Sequence, residues 1–228
     1  MKHLHFGSKG ILVPATGALA LAVVLAMSLP SAFGAPKPPA DQSATGPCTV
    51  TFTGTHTGVI NVATGTVCLV NLHQVGAVNV APGAALSVTK GSNINGAITL
   101  VGARAFTFCG SRTTQGAINS STGAGFVLIG DGGDGRPVVC GANIIDGAVT
   151  LNGNLGGVEI GGNSILAALT VSANIAPNLG VPTEDNATEV EANTVVGLTT
   201  CALNIPAPTN DGRPNTFTGG ANGQCAGL

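Results

Sequence analysis

One short phrase recurs along the chain, and this repeat restricts the fold more than any other feature. It reads GVINV at 58, GAVNV at 76, GAITL at 96, GAINS at 116, GAVTL at 147 and AALTV at 167. The steps between the phrases are 18, 20, 20, 31 and 20 residues. A period near 20 is typical of a stacked solenoid. Because apolar residues alternate with small or polar ones, each phrase predicts a short strand with one buried side.

Two further apolar stretches occur in most repeats. About ten residues after the phrase stands a second apolar pair, at Cys68/Val70, Leu86/Val88, Phe106/Phe108, Phe126/Leu128 and Val158/Ile160. A third stretch, with an Asn and an Ile, precedes the next phrase at 92–94, 142–144 and 162–165. Three strands in about 20 residues make a three-sided coil. The sequence therefore resembles a parallel β-helix, an all-β solenoid of about seven coils, over residues 48–205.

The two ends differ in composition from the repeats. Residues 1–34 begin with Lys2 and Lys9, continue as an uncharged apolar run, and end with small residues. This order predicts a cleaved secretory signal peptide, and the alternative is a retained membrane anchor. The Pro-rich residues 35–47 predict a linker, and residues 206–228 predict an irregular C-terminal cap over the open end of the solenoid. The protein is therefore expected to be secreted or held at the cell surface.

Six cysteines follow the predicted signal, which indicates three disulfides in an exported chain. Cys48 and Cys68 are one period apart, while Cys109 and Cys140 each precede a repeat glycine by seven residues. Both pairs are expected on adjacent coils, at a separation that a disulfide accepts. Elimination then leaves Cys201–Cys225. The 31-residue step is explained by an insertion of about eleven residues between Ile129 and Cys140. The acidic, Pro-bearing residues 177–189 predict a second insertion.

Composition and motifs offer little chemistry. Charged residues make up 8% of the chain and form no basic stripe, so a nucleic-acid partner is not expected. The sequence contains no nucleophile-elbow, zinc-protease or phosphate-loop motif, and no catalytic residue is assigned. Polysaccharide-cleaving β-helices suggest an enzyme alternative. However, Asp146 and Glu159 are identified as the only acids in the regular coils, and they are not expected to stack.

Metal and cofactor sites are not predicted. His56 and His73 are expected near one corner of neighbouring coils, but a structural metal site needs three or four ligands. Asp131 and Asp134 match neither calcium-loop pattern and indicate a turn. Asn93, Asn143 and Asn163 are interpreted as turn formers.

The outward side of the first strand is the most distinctive candidate surface. Each phrase from 76 onward carries Ala-x-[Asn or Thr], so the predicted face displays Asn79, Thr99, Asn119, Thr150 and Thr170 in register. Such a face is flat, uncharged and regularly spaced. Ice-binding β-solenoids are similar in presenting small and hydroxyl-bearing side chains in register, although such ladders are also ordinary on stacked sheets.

The sequence thus predicts a non-catalytic secreted or cell-envelope β-solenoid with a structural or adhesive role. Its partner would be an unidentified surface, polymer or envelope component, and its oligomeric state is left open. Ice or ordered-surface binding through the Ala-x-[Asn/Thr] ladder is the first alternative. A polysaccharide-acting β-helix enzyme is the second.

Overall fold

Repeats of this kind form parallel strands that stack coil upon coil, and the structure, a computed structural model, has this architecture. It describes residues 45–131, 140–176 and 187–228. The predicted signal peptide (1–34), most of the predicted linker and the centres of two insertions (132–139 and 177–186) lie outside the described residues. The described residues form 21 strands and no helix. The predicted all-β solenoid of about 20 residues per turn is therefore confirmed.

The recurring phrases form one parallel sheet, here called the first sheet. It has eight strands, so the solenoid is about one coil longer than the seven predicted. Eight strands at about 4.8 Å spacing make a face roughly 34 Å long. In order along the axis, the strands are β2 (Ile60–Val62), β4 (Val78–Val80), β7 (Ile98–Val101), β10 (Ile118–Ser121), β13 (Val149–Asn152), β16 (Leu169–Ser172), β19 (Thr199–Ala202) and β21 (Ala221–Gly223).

The other two faces belong to one 13-stranded sheet, because two long strands turn a corner without a break. These strands are β1 (Val50–Thr57) and β3 (Thr66–Val75). The second face continues with β5 (Ala85–Thr89), β8 (Ala105–Phe108), β11 (Val127–Ile129), β14 (Val158–Gly161) and β17 (Thr188–Glu191). The third face continues with β6 (Asn93–Asn95), β9 (Arg112–Thr114), β12 (Ile144–Ile145), β15 (Ser164–Ile165), β18 (Thr194–Val195) and β20 (Thr216–Phe217).

The core lies between the three faces and is filled by aliphatic residues and two phenylalanines. The inward residues of the first sheet are those predicted, such as Ile98 and Leu100, which are at most 1% exposed. On the second face, two of the apolar pairs noted in the sequence lie beside the inward residues. Val67 and Leu69 point inward next to Cys68 and Val70, and Val127 and Ile129 point inward next to Phe126 and Leu128. A slip of one residue moves a side chain to the opposite face of a strand.

The strands continue beyond the predicted boundaries. Strand β17 begins at Thr188, within the stretch that was predicted to be an insertion. Strands β20 and β21 extend the sheets through residues 216–223, where an irregular cap was predicted. At the other end, Thr45 is fully buried, and its carbonyl accepts hydrogen bonds from Thr66 Oγ1 at 2.9 Å and Arg104 Nη2 at 3.4 Å. The chain thus contacts the solenoid before Cys48.

All three predicted disulfides are present. The Cα–Cα distances are 5.7 Å for Cys48–Cys68, 4.9 Å for Cys109–Cys140 and 5.1 Å for Cys201–Cys225. Disulfides of this number indicate an oxidising compartment outside the cytoplasm. In the part of the chain that is described, no helix has the length and apolarity to cross a membrane.

Candidate functional site

The predicted ladder on the first sheet is continuous. Strand pairing places Asn79 opposite Thr99, Thr99 opposite Asn119, Asn119 opposite Thr150, and Thr150 opposite Thr170. The inward neighbours of these residues are buried, so all five side chains lie on the outer side of the sheet. Asn79 is exposed and the other four are half-buried.

The ladder is longer than the sequence predicted. Asn61 stands one coil before Asn79, and Thr200 and Asn222 stand one and two coils after Thr170. Thr200 belongs to the phrase GLTTC at 197. This phrase is harder to recognise because its first inward residue is Thr199 and not an aliphatic residue. Asn222 lies in the region that was predicted to be a cap. Eight outward Asn or Thr side chains therefore follow one another, one on each strand of the sheet.

Two further rows of uncharged side chains flank this ladder. The first row consists of the small residues that stand two positions before each ladder residue. Their backbone carbonyls accept hydrogen bonds from amides of the preceding coil, and they are Ala77, Ala97, Ala117, Ala148 and Ala168. After the ladder runs a row in strict register, namely Val101, Ser121, Asn152, Ser172 and Ala202. None of these residues carries a charge. The outer side of the first sheet is therefore an uncharged surface with a repeat of about 4.8 Å along the axis.

Hydrogen bonds along these rows hold some of the side chains in place. Asn79 Nδ2 donates to Asn61 Oδ1 at 3.0 Å, and Ser172 Oγ donates to Asn152 Oδ1 at 3.0 Å. Such bonds between neighbouring coils limit the rotamers of the outward side chains. An ordered set of side chains loses less conformational entropy when it meets a surface.

Glycines position the first sheet at its entry corner. A Cβ atom on Gly76 would lie 2.5 Å from the carbonyl oxygen of Gly58, and one on Gly96 would lie 2.6 Å from that of Gly76. The backbones of successive coils thus approach too closely here for a side chain. This contact repeats at Gly116 and Gly147 and keeps the strands of the first sheet in register.

Exposed aliphatic side chains border the C-terminal half of this face. Leu166, Val196 and Leu198 lie along one edge, each 48–49% exposed. Leu155, Ile175 and Ile205 lie along the other edge, stacked through backbone hydrogen bonds at the corner toward the second face. Between the edges stand three successive threonines of the ladder, Thr150, Thr170 and Thr200. This half is therefore more apolar than a typical solvated sheet face.

Buried asparagines form two internal columns at the other corners. One column contains Asn143, Asn163, Asn193 and Asn215, and the other contains Asn154, Asn174, Asn204 and Gln224. The amide groups in each column bond to one another and to carbonyl groups of the preceding coil. Asn143 and Asn163 do lie at a corner, but the turn prediction for Asn93 is wrong, because it belongs to strand β6. These columns are structural, and their members are buried except for the half-buried Asn215 and Gln224 at the C-terminal end.

The regular coils contain more acidic residues than the sequence predicted. Asp146 and Glu159 are not the only acids in regular coils, because β17 contributes Glu189 and Glu191. Glu159 pairs in register with Glu189, and the two residues are 0% and 2% exposed. Asp146 lies apart from them on the third-face corner, where its carboxylate accepts hydrogen bonds from Arg112 at 3.1 Å.

The acidic residues on the second face form a compact set. Asp131, Glu159 and Glu191 each offer a carboxylate oxygen, and these oxygens lie within 4.8 Å of one another. Arg213 Nη1 lies 3.6 Å from Glu191 Oε1. Carboxylate oxygens at this spacing could hold a hard cation such as Ca²⁺. Because Glu159 and Glu191 are fully buried, they are closed to a polymeric substrate.

The two histidines lie on paired strands of neighbouring coils, as predicted, but they point to opposite sides of the sheet. His56 pairs in register with the buried Gln74, and its Nδ1 lies 2.8 Å from Gln74 Oε1 on the inner side of the coil. His73 pairs with Thr55 and Asn93 and is exposed on the outer side. The side chains of alternate residues point to opposite faces of a strand, so these two rings do not form a common site.

No family model matches the chain, and neither a curated protein nor a solved structure matches it.

Proposed function

We propose that this protein is a non-catalytic structural or adhesive element of the cell surface or the secreted fraction, and that it makes contact through the outer side of the first sheet. The single observation that carries the proposal is the ladder of eight Asn and Thr residues, in register from Asn61 to Asn222. A rigid face of this kind suits an extended, ordered partner better than a small molecule.

Three properties of the face support an ordered, uncharged partner. Every strand pair of the face is parallel and in register, so equivalent side chains stack from coil to coil. The face carries no charge, so it offers no electrostatic attraction for a polyanion or polycation. Its polar groups repeat once per coil, so a periodic surface could satisfy many of them together. Each contact is weak, but many contacts on one rigid face add up without further ordering cost.

The acidic residues do not favour a catalytic alternative. Cleavage of a polysaccharide requires two carboxyl groups that reach the scissile bond. Glu159 and Glu189 stack in register but are at most 2% exposed, and Asp146 is engaged by Arg112. The absence of Trp and Tyr from the sequence also removes the usual aromatic platforms for sugar rings. The non-catalytic proposal is therefore preferred.

Ice binding is a second candidate, and one observation favours it. In the C-terminal half of the face, Thr150, Thr170 and Thr200 follow one another in register, with exposed aliphatic residues along both edges. Hydroxyl and methyl groups in a regular row can match an ordered water lattice. Adhesion to a polymer and binding to ice would use the same face but differ in the solid that is bound.

Charge placed in the middle of the face tests both candidates. Thr99→Lys and Thr150→Lys should abolish retention on the solid that the wild type binds, while the free energy of unfolding changes by less than about 0.5 kcal/mol. The solids are crystalline cellulose, chitin and ice, the last assayed by inhibition of recrystallisation. Thr194→Lys, which adds the same charge on the third face, is the matched control.

The outcomes separate the proposals. Retention on a polysaccharide that Thr99→Lys removes and Thr194→Lys preserves supports the adhesive role. Inhibition of ice recrystallisation with the same pattern supports the second candidate. No retention on any solid, or equal loss in the control variant, would contradict a role for this face. Release of reducing sugars from either polysaccharide would contradict the non-catalytic assignment.

A further inference from the structure

Among the described residues, the N-terminal end of the solenoid presents a long strand edge without a partner strand. Strand β1 has eight residues and, within residues 45–131, 140–176 and 187–228, pairs along one edge only, with β3. Its four threonines, Thr51, Thr53, Thr55 and Thr57, are exposed. The strands at the C-terminal end are only two and three residues long. Long open edges pair with other strands unless charge, proline or a short length prevents it.

The sequence of β1 reads nearly the same in both directions. From residue 51 to 57 it is Thr-Phe-Thr-Gly-Thr-His-Thr, with Gly54 at the centre. Gly54 has a φ of 76° and marks the corner at which the strand passes from the second to the third face. Phe52 and His56 pair in register with Leu69 and Gln74, so they point inward, and their rings lie 5.6 Å apart.

The backbone of β1 has hydrogen-bonding groups that face away from β3. The amide of Gly58 donates to Val75 O, so this amide points toward β3. Successive amides of a strand alternate between its two edges, so the amide of Thr57, and by the same rule that of Thr55, points to the open edge. These groups form a template for one more strand.

We propose that two copies of this protein associate head to head through β1, with the two strands antiparallel and related by a twofold axis through Gly54. This register places Thr53 opposite Thr55 of the second copy, Thr51 opposite Thr57, and Phe52 opposite His56. A strand that is symmetric about its centre satisfies the self-complementarity that a twofold interface requires. The two inward aromatic pairs then join the two cores end to end.

The composition of this end favours a second copy over another partner. Residues 48–62 contain no Asp, Glu, Lys or Arg, so neither repulsion nor attraction by such charges acts at the edge. The axis passes through the corner opposite the first sheet, and it therefore sets the two Asn/Thr ladders on the same side of the dimer. Only this consequence rests on the proposed function; the dimer itself does not.

Charge pairs test both the dimer and its register. In Thr53→Lys/Thr55→Lys, like charges face each other twice across the axis, and the dimer should weaken by at least about tenfold. In Thr53→Lys/Thr55→Glu, each Lys faces a Glu of the second copy, and dimerisation should be retained. Thr216→Lys/Thr218→Lys adds the same charge at the C-terminal end and is the control. Sedimentation velocity of protein purified from a secreting host, over a wide concentration range, measures each association.

A second variant addresses the backbone directly. Thr57→Pro removes an amide that points to the open edge, so pairing with β3 is kept and the dimer is lost. Circular dichroism verifies that each variant keeps the wild-type spectrum. A wild type that stays monomeric, a Lys/Lys variant that dimerises like the wild type, or assemblies that grow beyond two copies would each overturn the proposal. Thr99→Lys should leave the dimer intact, which separates this test from that of surface binding.

Discussion

At Gly96, on the corner where the third face meets the first sheet, successive coils pass so close that a methyl group has no room. The Cβ that Gly96 lacks would fall 2.6 Å from Gly76 O and 2.7 Å from the carbonyl carbon of the same residue. Backbone atoms on both sides are fixed by the ladder, because Gly76 N donates to Asn95 O. Gly96 is therefore required by space as well as by its positive φ of 149°, whereas the phrase at 167 has Ala167 in the equivalent place.

Gly96→Ala should lower the free energy of unfolding by about 2–4 kcal/mol, because the new Cβ forces two coils apart. Gly153→Ala is the matched control. Gly153 has a φ of 65° with nothing within 4 Å of its missing Cβ, and Ala173 occupies the equivalent position one coil later at 52°. Gly153→Ala should therefore lower the free energy of unfolding by only about 1 kcal/mol. Urea unfolding with the disulfides intact measures both values, and equal costs would contradict the spatial explanation.

At the level of elements, the asparagine columns connect successive coils at the corners. Strand pairing alone would leave buried backbone carbonyl groups there without hydrogen-bond donors. Asn163 Nδ2 donates to Ile129 O at 2.7 Å and to Asn193 Oδ1 at 2.9 Å, and its Oδ1 accepts from Asn143 Nδ2 at 2.8 Å. Each buried amide thus satisfies a carbonyl group that the corner removes from the regular ladder.

Asn163→Ala should destabilise the protein by about 2–3 kcal/mol, because it leaves Ile129 O and Asn193 Oδ1 buried without this donor. Asn152→Ala is the control, since Asn152 is exposed and its Oδ1 accepts only the surface bond from Ser172. That change should cost at most about 0.5 kcal/mol. Chemical denaturation of the two variants in parallel distinguishes the column from the surface ladder, and a loss below 1 kcal/mol for Asn163→Ala would argue against the column.

The period of the repeat was sufficient to predict the strands of the first sheet and their inward residues. A phrase such as GAITL predicts the register because its glycine marks the corner and the alternating residues of the strand follow at once. The second face was harder to predict, since its residues are apolar on both sides: Leu128 and Cys68 are buried although they point outward. Alternation of hydrophobicity carries no information when both sides of a strand are covered.

The candidate surface was predicted in its middle and missed at its ends. The phrase was sufficient to predict the ladder from Asn79 to Thr170. Thr200 and Asn222 come after the 30-residue step from Thr170 to Thr200, and their inward neighbours are not the aliphatic residues that mark the phrase. The acidic set was missed because it depends on stacking across insertions. Glu159 and Glu189 are 30 residues apart, and nothing in their local sequence shows that they become neighbours.

At the scale of the whole molecule, each coil contacts only the coils before and after it, so stability is a sum of neighbouring interfaces. Coils at the two ends have one neighbour and are the first to open. The three disulfides match this need in part: Cys48–Cys68 joins the first coil to the next, and Cys201–Cys225 fastens the last strands. The central bridge, Cys109–Cys140, spans the 31-residue step.

Removal of the C-terminal bridge should therefore loosen one end of the solenoid and leave the middle intact. Cys201→Val/Cys225→Ala is the suitable variant, because Val171 occupies the position of Cys201 one coil earlier and the core stays filled. Hydrogen exchange should quicken at Thr199, whose amide donates to Gly220 O, and at the neighbouring amides of β19 and β21. The amide of Ile98, which donates to Ala117 O in the central coils, should keep its protection. This difference is expected because a chain of neighbouring interfaces transmits the loss of its last link only weakly to coils several steps away. Equal loss of protection at both places would contradict the prediction and would mean that the solenoid unfolds as one cooperative unit.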